Sequence, residues 1–256
     1  MFHISEKLST QANSLAKPLM FVLISFSLFA LVSGGGLLLY MKTVHTFALQ
    51  AQATQTVQTV LTAQAKATVT TSPQYLFDQI TATTPAVNDV SDGWNAGRKP
   101  GGDCIFTDNA YHIRVVPEKD GGFCMDAQNT YTNFVFQVQM TVIQGNGGSI
   151  IFRDDTAGSM YSFTVTTNNL YSLFVLNEEG KGVKALAFGR TAVGKNTNTL
   201  AVMAQGSKIA MFVDKQYIGS VDDTHSSTGT LGFTGSRSSI WDSIDVAFSH
   251  FQIWKL

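Results

Sequence analysis

Phe134-Val135-Phe136-Gln137-Val138-Gln139-Met140-Thr141-Val142 decides the fold class. In an extended chain Phe134, Phe136, Val138, Met140 and Val142 share one side, while Val135, Gln137, Gln139 and Thr141 share the other. That period of two marks a strand with one buried face. The run that follows, Gln144-Gly145-Asn146-Gly147-Gly148, reads as a turn. Further short runs then succeed one another, each bounded by Gly, Asn or Asp: Ser149 to Arg153, Met160 to Thr166 and Tyr171 to Asn177. Lys208 to Val213 faces Gln216 to Val221 across Asp214-Lys215, the spacing of a two-residue hairpin. Asp245 to Trp254 is the last strand. With Tyr111 to Val116, Gly182 to Ala187, Leu200 to Ala204 and Gly229 to Phe233, the C-terminal part holds about ten strands or more and no convincing helix. So many strands in one domain require two packed sheets or a barrel, and a jelly-roll sandwich is the natural solution.

Composition bounds the rest. The chain has 256 residues, of which 44% are hydrophobic and only 14% charged, so part of the apolar excess belongs to something other than a core. A net charge of -1 and a pI near 6.5, with no basic run interleaved with aromatics, exclude a nucleic-acid groove. The excess lies in Leu19 to Met41, LMFVLISFSLFALVSGGGLLLYM, which carries no charge. As a helix it spans about 34 Å, enough for the roughly 30 Å hydrocarbon core of a bilayer. It reads as one transmembrane helix, with Tyr40 at an interface and Gly34, Gly35 and Gly36 either a flexible step or a place where a second helix approaches. Lys7, Lys17 and the N-terminus before it, against Lys42 after it, favour an internal N-terminus and an external C-terminal domain. The competing reading is a cleaved signal peptide ending at Ala51-Gln52-Ala53, although that site lies far beyond the apolar run.

Between anchor and strands, Thr46 to Pro73 is rich in Ala, Thr and Gln, with Lys66 its single charge. Val57, Val60 and Leu61 make a narrow apolar stripe. The segment is a partial helix able to pair with a copy of itself, or a weakly ordered spacer. Ser72 to Pro100, broken by prolines and by Asn88-Asp89 to Gly93, reads as a loop. The expected organisation is a short cytoplasmic segment at 1–18, a transmembrane helix at 19–41, a stalk and linker at 42–90 and the β domain at 91–256. Cys104 and Cys124 are the only cysteines, and in an exported domain they read as one disulfide.

Five stretches carry a family resemblance: CIFTDNAYHIRV from Cys104, NFVFQVQMTVIQGNGGSIIFRDD from Asn133, MYSFTV from Met160, AVMAQGSKIAMFVDKQYIGSVDD from Ala201 and VAFSHFQIWKL from Val246. From about Trp94 to Leu256 the chain resembles the concanavalin A-like lectin/glucanase jelly roll. Within it, the nearest likeness is to the bacterial membrane-anchored branch related to 3-keto-disaccharide hydrolase domains. The resemblance implies an all-β, two-sheet concanavalin A-like jelly-roll sandwich with a concave face and a glycan-related role, here preceded by one transmembrane helix and an Ala/Thr/Gln-rich stalk. Fold alone does not deliver function.

Catalytic signatures are sparse. A retaining glucanase of this fold needs two carboxylates projecting from one face of one strand. The nearest acidic run, Trp241-Asp242-Ser243-Ile244-Asp245, places its two aspartates on opposite faces, and the pairs Asp154-Asp155 and Glu178-Glu179 read as turn carboxylates. His3, His45, His112, His225 and His250 show no metal-binding spacing, and no nucleophile elbow or C-x-x-C pair occurs. No cofactor is expected; calcium on Asp154, Asp155, Asp222 or Asp223 is conceivable but carries no loop signature. Sugar recognition needs aromatic rings with hydrogen-bonding groups beside them, and the candidates are Trp94, Arg153, Asp154, Tyr161, Tyr171 and Trp241. Arg153 has a structural alternative, pairing with Asp154 or Asp155. The expected function is a membrane-anchored extracellular binding module for carbohydrate or envelope glycan. The alternatives are a structural or adhesive surface protein acting through protein contacts or self-association, and a sugar-processing enzyme.

Overall fold

The computed structural model describes residues 52, 54–67, 70–84, 86, 94–97, 102–119, 121–126, 128–155, 158–176, 182–191 and 196–256. The chain divides into two compact units, Met1–Val69 and Thr70–Leu256. In the first, residues 54–67 form a helix, α1, exposed along its whole length, with the Thr56, Thr59 and Thr62 hydroxyls bonding back to carbonyls one turn earlier. The expected span Leu19–Met41 lies outside the described residues; among those described, no helix is long and apolar enough to cross a membrane.

The second unit is a sandwich of two seven-stranded sheets. The front sheet runs in the order β1 (Trp94–Gly97), β4 (Phe123–Asp126), β13 (Thr230–Ser236), β6 (Gly147–Asp154), β7 (Met160–Thr166), β8 (Leu170–Leu176) and β9 (Val183–Arg190). The back sheet runs β12 (Gln216–Asp222), β11 (Lys208–Val213), β10 (Thr197–Gln205), β5 (Phe134–Gln144), β14 (Ile244–Lys255), β3 (Ala110–Val115) and β2 (Gly102–Thr107). All ladders are antiparallel, and β6 to β9 form an uninterrupted meander ending at the sheet edge. Phe134, Phe136, Val138 and Met140 of β5 are wholly buried and meet Ile150, Phe152, Phe163, Leu173 and Phe233 from the front sheet. The period of two in β5 therefore points into the core as expected.

Turn chemistry closes the strands as the sequence allows. Asp214 and Lys215 both adopt positive φ, +48° and +65°, the backbone of a two-residue hairpin whose twist suits the flanking strands. The turn after β5 is tighter than expected. Gly145 and Asn146 suffice, with Gly145 at φ +101°, and Gly147 and Gly148 already belong to β6. At His250, φ +53° in a bulge of β14, the alternation slips by one residue. Val246 and Phe248 before it and Ile253 after it all enter the main core, and Trp254 turns to the opposite face of the back sheet. A disulfide joins Cys104 of β2 to Cys124 of β4, tying the two sheets together on one side.

One element departs from the expected loop. Pro73–Thr83 is a helix, α2. Ser72 caps it by accepting a hydrogen bond from the Tyr75 amide, and Pro73 occupies the first turn, where a missing N–H costs nothing. The helix lies on the outer face of the back sheet. Phe77, 1% exposed, stacks on Phe212 at 4.2 Å in a second cluster with Val135, Ala201, Met203, Ala210 and Trp254. The Trp254 indole donates to the Thr84 carbonyl at 3.0 Å, and Gln74 bridges to the β11–β12 hairpin by accepting from the Tyr217 amide and donating to the Lys215 carbonyl.

Candidate functional site

The two outer faces of the sandwich differ. On the back sheet, α2 covers the part formed by β5, β10 and β11, and beyond it the polar side chains satisfy one another. Asp245 accepts from Arg114 Nε at 3.1 Å and pairs with His112 Nδ1 at 2.8 Å, Gln137 donates to Gln252 at 2.8 Å, and Thr141 and Thr197 share a hydrogen bond at 3.1 Å. On the front sheet no described helix covers the outer face.

Pairing register fixes what that front face presents. One row reads across six strands: Phe123, Thr234, Ser149, Thr164, Ser172 and Phe188. Four hydroxyl residues thus lie between two phenylalanines, but Ser149 at the centre is 3% exposed and Ile151 in the adjacent row 1%, so the accessible part of the row is its β8–β9 end. Five interstrand steps span about 24 Å. The adjacent row, Met125, Gly232, Ile151, Ser162, Phe174 and Ala185, is more apolar. Ser149 and Thr164 share a hydrogen bond at 2.7 Å, and Thr234 donates to the Gly122 carbonyl at 2.6 Å. At the β8–β9 edge the hydroxyl row ends in a pocket of about 430 Å³ lined by Thr166, Leu170, Tyr171, Ser172, Phe188, Gly189 and Arg190. That volume falls in the range of small-ligand sites. Phe188 is 82% exposed, an unusual state for a phenylalanine within a strand. Tyr171 forms the inner wall because Gly189 leaves room for it: a Cβ there would come 2.7 Å from the ring.

The sequence candidates scatter. Tyr171 lines the pocket, and its hydroxyl donates to the Ile218 carbonyl at 3.3 Å. Trp241 sits in the β13–β14 loop, 64% exposed. Trp94, 6% exposed, is wedged among Tyr111, Phe136, Phe233 and Phe251 in the core, so its ring offers no face to a ligand. Arg153 and Tyr161 have no exposed surface at all, and Asp154 ends β6 half-buried. The Arg153 guanidinium donates to the carbonyls of Thr132, Gly206 and Ser226, clamping three loops at one end of the sandwich. Burial pushes its pKa below the ordinary arginine value.

Beside Arg153, Tyr161 stacks on Phe152 and donates to Asp223 at 2.6 Å, and His225 Nδ1 lies 2.9 Å from the same carboxylate. Burial, reinforced by Asp223, pushes the Tyr161 hydroxyl up to about 12. Burial opposes the charge on Asp223, but hydrogen bonds from Tyr161 and from the His225 amide and ring outweigh it and hold the carboxyl below its usual range. Among the described residues no cluster of three or more His, Cys, Asp or Glu is placed to hold a metal, and Asp222 and Asp155 accept from Ser207 and Ser159. Phe188, Arg190, Ser172 and Thr164 were not legible as site residues. The only signal was the alternation of β7 and β8, which places hydroxyls on one side without saying that the side is open.

No family model matches the chain, and no curated protein matches it in sequence. Solved structures match by fold. The carbohydrate binding module CBM66 from Bacillus subtilis is 18% identical, with a TM-score of 0.52 over 63% of this chain and 94% of that one. A Bacillus subtilis protein of unknown function with a galectin-like fold is 11% identical, with a TM-score of 0.50 over 63% and 89%. A native glycosidic hydrolase is 9% identical, with a TM-score of 0.50 over 64% and 90%. At these identities the likeness establishes the fold: a two-sheet, galectin-like and concanavalin A-like sandwich.

Proposed function

We propose that this chain is a carbohydrate-binding module, tethered to a membrane by Leu19–Met41 with its sandwich on the extracellular side, and that it binds glycan on the outer face of the front sheet. The observation that carries this reading is the pocket at the β8–β9 end of the front sheet, where the exposed Phe188 ring stands beside the Ser172 hydroxyl on the sandwich face that α2 does not cover. A sugar ring presents an apolar C–H face, which suits an exposed aromatic ring, and a rim of hydroxyls, which suits hydroxyl partners. The carbohydrate-binding module among the fold relatives supports the ligand class. The Cys104–Cys124 disulfide supports the compartment, since such bonds persist outside the reducing cytosol. Binding rather than catalysis fits the pocket, which among the described residues is lined by no carboxylate and no imidazole.

The test is a glycan array probed with the 256-residue chain in detergent micelles, beside its Phe188→Ala variant. Binding to a set of glycans, weakened roughly ten-fold or more by the substitution, supports the reading. Absence of binding to every glycan defeats it. A second reading, self-association through α1, is favoured by Val57, Val60 and Leu61, which are all about half exposed or more on that helix. Sedimentation of the same micelles checks it: a single monomeric species would sink it.

A further inference from the structure

Among the described residues, the edge strands of the front sheet carry positive charge and no carboxylate. Strands β7, β8 and β9 contain no Asp or Glu, whereas β9 contains Lys184 and Arg190. Glu178 and Glu179, in the connection between β8 and β9, lie outside the described residues. Arg190 is exposed, lines the pocket two residues from Phe188 on the same strand, and so lies on the same side of the sheet as that ring. An aromatic platform, the Ser172 hydroxyl and a guanidinium therefore converge on one pocket of about 430 Å³. A neutral sugar would give the guanidinium only hydroxyl oxygens to bond, without an opposite charge. An anionic substituent uses it better, because a guanidinium presents paired N–H donors matched to a planar carboxylate or to two oxygens of a sulfate, and such charge-assisted bonds are about twice as strong as neutral ones.

Resting on the carbohydrate reading above, we infer that the glycan bound at this pocket is acidic, with Arg190 holding its carboxylate or sulfate while a sugar ring lies on Phe188. The occupant is a saccharide and not any polyanion, because the anion site is built into the same pocket as the aromatic ring and the Ser172 hydroxyl.

The experiment titrates the 256-residue chain, in neutral detergent, with pairs of polysaccharides that differ only in charge: polygalacturonate against its carboxyl-reduced form, and a sulfated galactan against its desulfated form. Polyglutamate serves as an anion without sugar. The variants are Arg190→Gln, Arg190→Lys and, as a cation away from the pocket, Lys208→Gln. At low ionic strength the charged member of at least one pair binds roughly ten-fold tighter than its neutral partner, the pair that responds telling carboxylate from sulfate. Arg190→Gln removes that preference, Arg190→Lys retains part of it, and Lys208→Gln has no effect. Equal affinity for charged and neutral members overturns the inference while leaving the carbohydrate reading standing. Polyglutamate binding as tightly as the acidic glycans also overturns it. Failure of every saccharide to bind overturns both, and unchanged melting temperatures of the variants exclude misfolding as the cause.

Discussion

Removing the side chain that fastens α2 to the back sheet tests which face of the sandwich is closed. Phe77 is 1% exposed, stacks on Phe212 with ring centroids 4.2 Å apart, and is the one fully buried residue of an eleven-residue helix. A helix that short has little stability of its own in water, so its order depends on docking. A buried phenylalanine removes roughly 150–200 Å² from water, about 4–5 kcal/mol, and Phe→Ala substitutions in cores cost about 3–5 kcal/mol. The polar ties through Gln74 and the Trp254 indole remain in Phe77→Ala but close a looser contact. The expected outcome is a melting temperature lower by roughly 6–20 °C for a domain of this size, together with faster amide exchange over Pro73–Thr83 than elsewhere in the sandwich. Circular dichroism and hydrogen exchange measure the two. Unchanged melting with unchanged protection of those amides would refute the docking argument, and with it the reason for assigning the free face to the front sheet.

Other expectations follow from single side chains. Arg153→Met leaves the carbonyls of Thr132, Gly206 and Ser226 without their donors and costs about 3 kcal/mol or more by urea denaturation. Tyr161 titrates near 10 in the unfolded chain and at about 12 when folded, so its contribution is intact below pH 10 and is lost as pH rises toward 12. That is about 3 kcal/mol of alkaline destabilisation, which Tyr161→Phe abolishes in a comparison of melts across this pH range. Asp223 works at the other end. Its depressed pKa gives stability that is present above about pH 4 and fades as pH falls further, a limb that Asp223→Asn flattens. Reducing Cys104–Cys124 releases a 20-residue loop and lowers stability by about 3 kcal/mol on a chain-entropy basis, read as a shift in the urea midpoint with and without reductant.

The core strands were legible because a period of two is imposed by the pleat and cannot be faked for nine residues in Phe134–Val142. The Asp214-Lys215 hairpin and the Cys104–Cys124 bridge were legible for similarly local reasons. Short strands such as β1 and β4, four residues each, carry too few alternations to stand out. The helix α2 was obscured because Pro73 reads as a breaker, although after Ser72 it occupies the helix position where proline fits. The candidate site was largely illegible. Trp94, Tyr161 and Phe188 are all aromatic residues in strands, and their alternation cannot say which side faces the opposite sheet, a helix or solvent. In particular, ending the strand at Ala187 left out Phe188 and Arg190, the two residues that shape the pocket rim.

The most direct test of the account places a reporter on the proposed platform. Phe188→Trp keeps an aromatic face at the pocket and introduces an exposed indole, whose emission responds to a saccharide stacking on it. Titrated with the tightest glycan found by array, the emission of the indole introduced by Phe188→Trp is expected to shift to shorter wavelength. It should saturate at the same concentration as calorimetric binding, and the same titration of the unmodified chain, whose Trp94 and Trp254 are buried and whose exposed Trp241 does not line the pocket, should show a much smaller change. Calorimetric binding of that glycan with no change in the emission of the introduced indole would contradict the account, because the sugar would then be held on some other surface of the sandwich.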